Sequence, residues 1–169
     1  MSGAARKPRI LGLDISLTKT GAATASGTTY TIKGGKGDER LNTLFREVSQ
    51  LAHDHHLAII EDLPTHAMSA GLTGQAQGVA RLALWRARVP YVTVPPSVLK
   101  KWATGKGNAK KPEMIKAALE VAGGVDPKVW TPTDDEADAY LLRELGEMVV
   151  HLGVPKDVKV DWTPWEGWL

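Results

Sequence analysis

Apolar positions along the chain follow two periods, and the alternation between them outlines an architecture. Arg9 to Asp14, Gly21 to Ala25 and Thr28 to Lys33 read as three strands with Ser26-Gly27 as a tight turn, which predicts an antiparallel meander. After Gly34-Gly35, Asp38 is placed to cap a helix in which Leu41, Leu44, Phe45, Val48, Leu51 and Ala52 keep the 3.6-residue period. Leu57 to Glu61 is a short, nearly continuous apolar run, the pattern of a strand buried on both faces at the centre of an α/β sheet. Leu72 to Arg88 reads as a second helix and Tyr91 to Val94 as a further strand. Proline, tolerated in a first helical turn, opens a short segment over Ser97 to Trp102 and a longer helix from Pro112 through Ala122. Thr133 followed by Glu136 has capping-box spacing, so a last helix is predicted from there to about His151.

With 169 residues and 43% hydrophobic content, the chain can bury one core and is short for two full domains. Residues 1–152 are expected to form that domain, followed by a Trp-rich tail over 153–169 that carries Trp162, Trp165 and Trp168. No run approaches the 18 or so apolar residues of a membrane span, and MSGAARKPR leads into a strand pattern rather than a signal-peptide core, so a cytoplasmic protein is expected. Cysteine is absent, which excludes a disulfide framework and a thiolate zinc site.

Four acids break the apolar pattern: Asp14 and Glu61 at strand ends, and Asp135 and Asp138 at the start of the last helix. A carboxylate beside a hydrophobic core is costly unless its charge is offset. A divalent cation is the natural partner, because Mg²⁺ takes hard oxygen ligands and two such ions about 3.5–4 Å apart can serve both the attacking and the leaving oxygen of a phosphodiester. Adjacent strand residues face opposite sides, so only one of Glu61 and Asp62 can join a common site, and Glu61 follows the apolar run directly. Asp135 has the i, i+3 relation to Asp138 that Asp134 and Glu136 lack.

The net charge of +2 conceals an uneven distribution. Between Thr65 and Lys116 the only acid is Glu113, against Arg81, Arg86, Arg88, Lys100, Lys101, Lys106, Lys110, Lys111 and Lys116. Metal-type carboxylates with a cationic middle point to nucleic acid. The stretch TGKGNAKK lacks the GxxxxGK[ST] spacing of a nucleotide-binding loop.

GLDISLTKTG, IIED, GQAQGVARL, VLKKWATGKGNAKK and DDEADA, in this order and at these separations, resemble the RuvC family of Holliday junction resolvases over roughly Ile10 to Leu145. The resemblance implies a ribonuclease H-like fold, a five-stranded mixed sheet flanked by helices, acting as a homodimer on four-way DNA junctions. It implies that Asp14, Glu61, Asp135 and Asp138 hold Mg²⁺, with Mn²⁺ able to substitute, at two ions per site. Lys100 and Lys111 match basic positions of the family, and Lys111 is the candidate for offsetting charge on the leaving oxygen. Lys101, Lys106, Lys110 and Arg81 complete the expected DNA-binding set. The chain departs from the family at Pro64, where bacterial members commonly carry a base-stacking aromatic, which predicts weak sequence preference and leaves His66 as a minor candidate reader. The tail DWTPWEGWL also lies outside the family pattern.

Each signal has an ordinary reading. Asp14 with Ser16 and Thr18 fits a turn motif, Asp135 alone fits a helix N-terminus, the lysines fit a solvated loop, and Arg81, Arg86 and Arg88 fit an exposed helix face. His53, His55 and His56 are read as solvated residues at a helix end rather than a zinc site. Two other functions compete. GLDISLTKTG also resembles the first phosphate hairpin of sugar kinases and actin-like proteins, but those need a second such domain and phosphate loop. A junction-binding protein without catalysis would be expected to lack at least one of the four acids.

Overall fold

The computed structural model describes residues 7–63, 70–156, 158–159 and 161–162. Strands β1 (Ile10–Asp14), β2 (Thr20–Ala23), β3 (Thr29–Ile32), β4 (Leu57–Glu61) and β5 (Tyr91–Val94) form one sheet in the order β3-β2-β1-β4-β5. The first three are an antiparallel meander, while β1 pairs β4 and β4 pairs β5 in parallel. Helices α1 (Gly37–Ala52) and α2 (Ala70–Arg86) cover one face, and α3 (Pro96–Thr104), α4 (Lys111–Val121) and α5 (Asp134–Leu152) cover the other. The expected five-stranded mixed sheet flanked by helices is therefore what forms.

Strand alternation divides the core between the faces. Leu11, Leu13, Ala58 and Ile60 pack with Leu44, Val48, Ala80 and Leu84 on one side, while Ile10 and Ile59 pack with Leu99, Met114, Leu141 and Leu145 on the other. Ala58, Ile59 and Ile60 are all fully buried, as the continuous apolar run of β4 predicts. By the same alternation Asp14 and Glu61 share the face of Gly12 and Ile59, toward α5.

α5 lies almost in contact with the sheet because two strand residues have no side chain. A Cβ at Gly12 would stand 2.0 Å from the Ala139 carbonyl oxygen, and one at Gly21 would stand 1.9 Å from that of Asp135. Any side chain at either position forces the helix outward and moves its acids with it.

Most element ends lie within about two residues of the expected ones, the scatter normal for helix and strand termini. Asp38 is not the cap of α1: the chain enters the helix at Gly37, whose φ of +53° makes the turn one residue earlier, and Asp38 sits in the first turn beside Glu39. The cap of α5 forms as expected, with Glu136 N–H donating to Thr133 Oγ1 at 3.2 Å and Thr133 N–H donating to Glu136 Oε2 at 3.3 Å. From the tail, Val158 is buried and Trp162 packs against the cluster around α5, whereas Trp165 and Trp168 lie outside the described residues. No helix among the described residues is long and apolar enough to cross a membrane.

Candidate active site

Parallel pairing of β1 with β4 is what joins two acids distant in sequence. Leu13 is in register with Ile60, so Asp14 and Glu61 follow side by side at the C-terminal ends of neighbouring strands, where α/β sheets bind ligands. α5 starts over the same end, and its Asp138 adds a third carboxyl to the pair while Asp135 faces Asp14 from one turn earlier.

These groups are electrostatically unsatisfied. Burial holds the Asp14 carboxyl well above its ordinary range, and Glu61, Asp138 and Asp135 raise it further by like-charge repulsion. Burial and Asp138 push Glu61 up to about 7, against the opposing effects of the Asp14 hydrogen bond and the Lys100 ammonium. Asp138 is pushed up to about 6, chiefly by burial, with Lys100 opposing. Asp135 is raised more modestly, by burial and then by Asp134. Asp138 Oδ1 is buried with no hydrogen-bond partner.

This donor set fits divalent cations: several hard oxygens, surplus negative charge and one orphaned buried oxygen. Among the described residues no three such side chains are drawn tightly enough to form a ready-made cage.

The cations separate into two groups. Lys100 on α3 is half-buried and acts on both Glu61 and Asp138. Lys111, at the start of α4, is exposed and pairs with Asp134, which raises the ammonium and lowers the carboxyl. Lys101, Lys106 and Lys110 are exposed along α3, the turn after Gly105 and the residue before α4, with Lys106 3.2 Å from Glu113. Arg81 belongs elsewhere. Its Nε donates to the Tyr91 hydroxyl at 2.6 Å and its guanidinium lies 5.2 Å from that ring, at the start of β5 and away from the strand ends that carry the acids.

Neighbouring acids take other partners. Asp62 Oδ1 accepts from the Leu63 N–H at 2.8 Å, and Asp134 is engaged by Lys111. Two contributors escaped the sequence reading. Lys19, in the β1–β2 hairpin, acts on Asp134 and Asp135. Gln77, buried in α2, donates from Nε2 to the Glu61 carbonyl at 2.7 Å and so fixes the strand end from behind. An amide on an otherwise Ala-rich buried stripe was the available signal for Gln77, while nothing local distinguished Lys19. Pro64 and His66 lie outside the described residues. Of the three histidines, His55 is buried rather than solvated, its ring held between Leu51 O and Ala25 N–H.

Comparisons with known proteins bear on the family and the fold. The family model described as crossover junction endodeoxyribonuclease RuvC matches residues 10–139. A crossover junction endodeoxyribonuclease RuvC of Delftia acidovorans is 33% identical over 163 residues, covering 85% of this chain and 83% of the relative. One from Synechococcus is 30% identical and covers 82% and 97%. Thermus thermophilus RuvC in complex with a Holliday junction substrate superposes with a TM-score of 0.68 at 19% identity, covering 80% of this chain and 90% of that one, and shares the ribonuclease H-like fold. Matched in sequence by the family model and by relatives over most of its length, the chain belongs to the RuvC family of crossover junction endodeoxyribonucleases.

Proposed function

We propose that this protein is a structure-selective endodeoxyribonuclease that resolves four-way DNA junctions by metal-dependent hydrolysis. The observation that carries this reading is the convergence of Asp14, Glu61 and Asp138 at one sheet end, with their carboxyls raised by burial and mutual repulsion and Asp138 Oδ1 left unpartnered. Asp14, Glu61, Asp135 and Asp138 are assigned as ligands of two Mg²⁺ ions, with Mn²⁺ able to substitute. When bound, such ions supply a water acidic enough to attack near neutral pH and Lewis acidity toward the phosphodiester.

The chain's own groups do the rest. Gln77 holds the backbone of Glu61 and α5 carries Asp138, so both carboxylates are kept at the sheet end where cations and phosphate would be held. Lys100 counters part of the local negative charge and keeps a phosphate approachable. Lys111 leaves Asp134 to face the leaving oxygen, and Lys101, Lys106 and Lys110 bind the backbone of the adjoining arms.

A homodimer presents two such sites to opposed strands, as two-fold symmetry requires. The outward side of α2, with Leu72, Leu82 and Trp85 about half exposed, is assigned as its contact. Selection rests on branch geometry and deformability more than on bases, because Pro64 offers no extended π surface for stacking. A cleavage panel of four-way, forked and linear DNA with and without Mg²⁺ tests the reading. Paired nicks on the four-way substrate are expected, and binding without cleavage under all metal conditions would leave only a junction-binding protein.

A further inference from the structure

Arg40 is a charged residue where the helix pattern calls for an apolar one. Arg40, Leu44, Val48 and Ala52 are spaced by four on α1 and all face the core. The arginine is only 3% exposed, and no carboxylate pairs with it among the described residues. Its Nε donates to the Leu17 carbonyl at 2.8 Å and its Nη2 donates to the Ile32 carbonyl at 2.9 Å, while Nη1 is buried without a partner. A buried, unpaired guanidinium is costly, and an apolar side chain here would complete the stripe at lower cost.

The two carbonyls explain why the residue matters. Ile32 ends β3, at the sheet edge. Leu17 lies in the hairpin that leaves β1 immediately after Asp14 and carries Lys19 toward Asp134 and Asp135. Within itself that hairpin is tied by Ser16 and Thr20: Thr20 Oγ1 donates to Ser16 O at 3.0 Å, and Lys19 N–H donates to Ser16 Oγ at 3.1 Å. Those bonds are local, and Ile15 and Leu17 add only non-directional apolar packing against the cluster that holds Leu44 and Val48. The guanidinium fork adds a hydrogen-bonded tie from α1 to both the hairpin and β3.

We infer that Arg40 is a positioning residue for cleavage: from the face opposite α5, it clamps the Ile15–Lys19 hairpin so that Asp14 and Lys19 meet the acids of α5 in register. It touches neither substrate nor metal, since its nitrogens are bonded to carbonyls or enclosed in the core. The inference rests on the nuclease reading above. Catalytic groups need placement to fractions of an ångström, so a tilted hairpin slows the chemical step more than it weakens DNA binding.

Arg40→Lys and Arg40→Met test this in the full-length protein. Junction affinity is measured in EDTA, and single-turnover cleavage is measured across a Mg²⁺ titration at saturating protein. For folded Arg40→Met the expected result is affinity within about twofold of wild type, cleavage at least about tenfold slower and a Mg²⁺ midpoint several-fold higher, with Arg40→Lys between the two. A folded variant with wild-type rate and Mg²⁺ midpoint overturns the inference, as does a parallel loss of binding and cleavage that tracks thermal stability alone. Should Arg40→Met fail to fold, Arg40→Lys, which keeps the charge but cannot bridge both carbonyls, decides by the same criteria. A wild-type protein that binds the junction but never cuts it sinks the nuclease reading, and this inference with it.

Discussion

The two ends of the central sheet treat polar groups in opposite ways. Where β1 and β4 begin, the polar groups satisfy one another: Arg9 N–H donates to His56 Nδ1 at 2.9 Å, Ala25 N–H donates to His55 Nε2 at 3.0 Å, and His55 Nδ1–H donates to Leu51 O at 2.6 Å. Burial lowers the pKa of His55, against the opposing effect of its hydrogen bond to Leu51 O. Where the same strands end, Asp14, Glu61 and Asp138 face each other with too much negative charge and one orphaned oxygen. A polar cluster that closes on itself stabilises the fold, whereas one left open costs stability until a ligand satisfies it.

The largest expected effect tests the open end. Asp138→Asn removes one charge and no volume, so junction binding and fold should persist while single-turnover cleavage in Mg²⁺ drops about 10³-fold, or about 4 kcal/mol. Wild-type nicking by this variant would falsify the catalytic role. Next in size, Gly21→Ala drives a methyl into the Asp135 carbonyl, so α5 must shift; a loss of about 3 kcal/mol in urea unfolding is expected, with cleavage impaired even where the protein remains folded. Stability equal to wild type would mean that α5 does not rest on β2 as described.

A pH titration sharpens the contrast. With Glu61 raised to about 7 and Asp138 to about 6, the folded protein keeps protons that the unfolded chain releases above its ordinary carboxyl pKa values of 4.5 and 3.8. Their contribution is therefore neutral at low pH and increasingly destabilising as pH rises toward about 7. In metal-free buffer, Asp138→Asn should melt about 4–8 °C above wild type at pH 8, about 2 kcal/mol, with the gap closing toward pH 4. Excess Mg²⁺ should reverse the order by stabilising wild type alone. A gap independent of pH would show that the acids are not frustrated.

The smallest effect belongs to the closed end. His55→Ala leaves the Ala25 N–H without its partner and should cost about 1–2 kcal/mol in chemical denaturation, while cleavage per folded molecule stays at the wild-type value. A selective loss of cleavage there would erase the functional distinction between the two ends.

Much of this was legible in residue order, because strand and helix periods are local properties. The apolar run of β4 predicted burial on both faces, alternation allowed only one of Glu61 and Asp62 on the face of Asp14, and the Thr133–Glu136 spacing located the start of α5. The capping residue of α1 was misplaced because Gly37 turns the chain by a positive φ that composition does not announce. Arg81 was grouped with the cations of α3 and α4 because charge alone carries no direction along a strand, and its partner Tyr91 stands at the far end of β5.

The sequence by itself determined the elements, their α/β order and the acids at the edge of the apolar pattern, since each follows from nearest neighbours along the chain. Tertiary structure decided what those acids meet. Parallel pairing set Asp14 beside Glu61, Gly12 and Gly21 let α5 descend onto the sheet, Gln77 reached back to the Glu61 carbonyl, and Arg40 crossed beneath the hairpin to Leu17 and Ile32. These are contacts between residues far apart in the chain, and their energies depend on burial and direction, which no local period records.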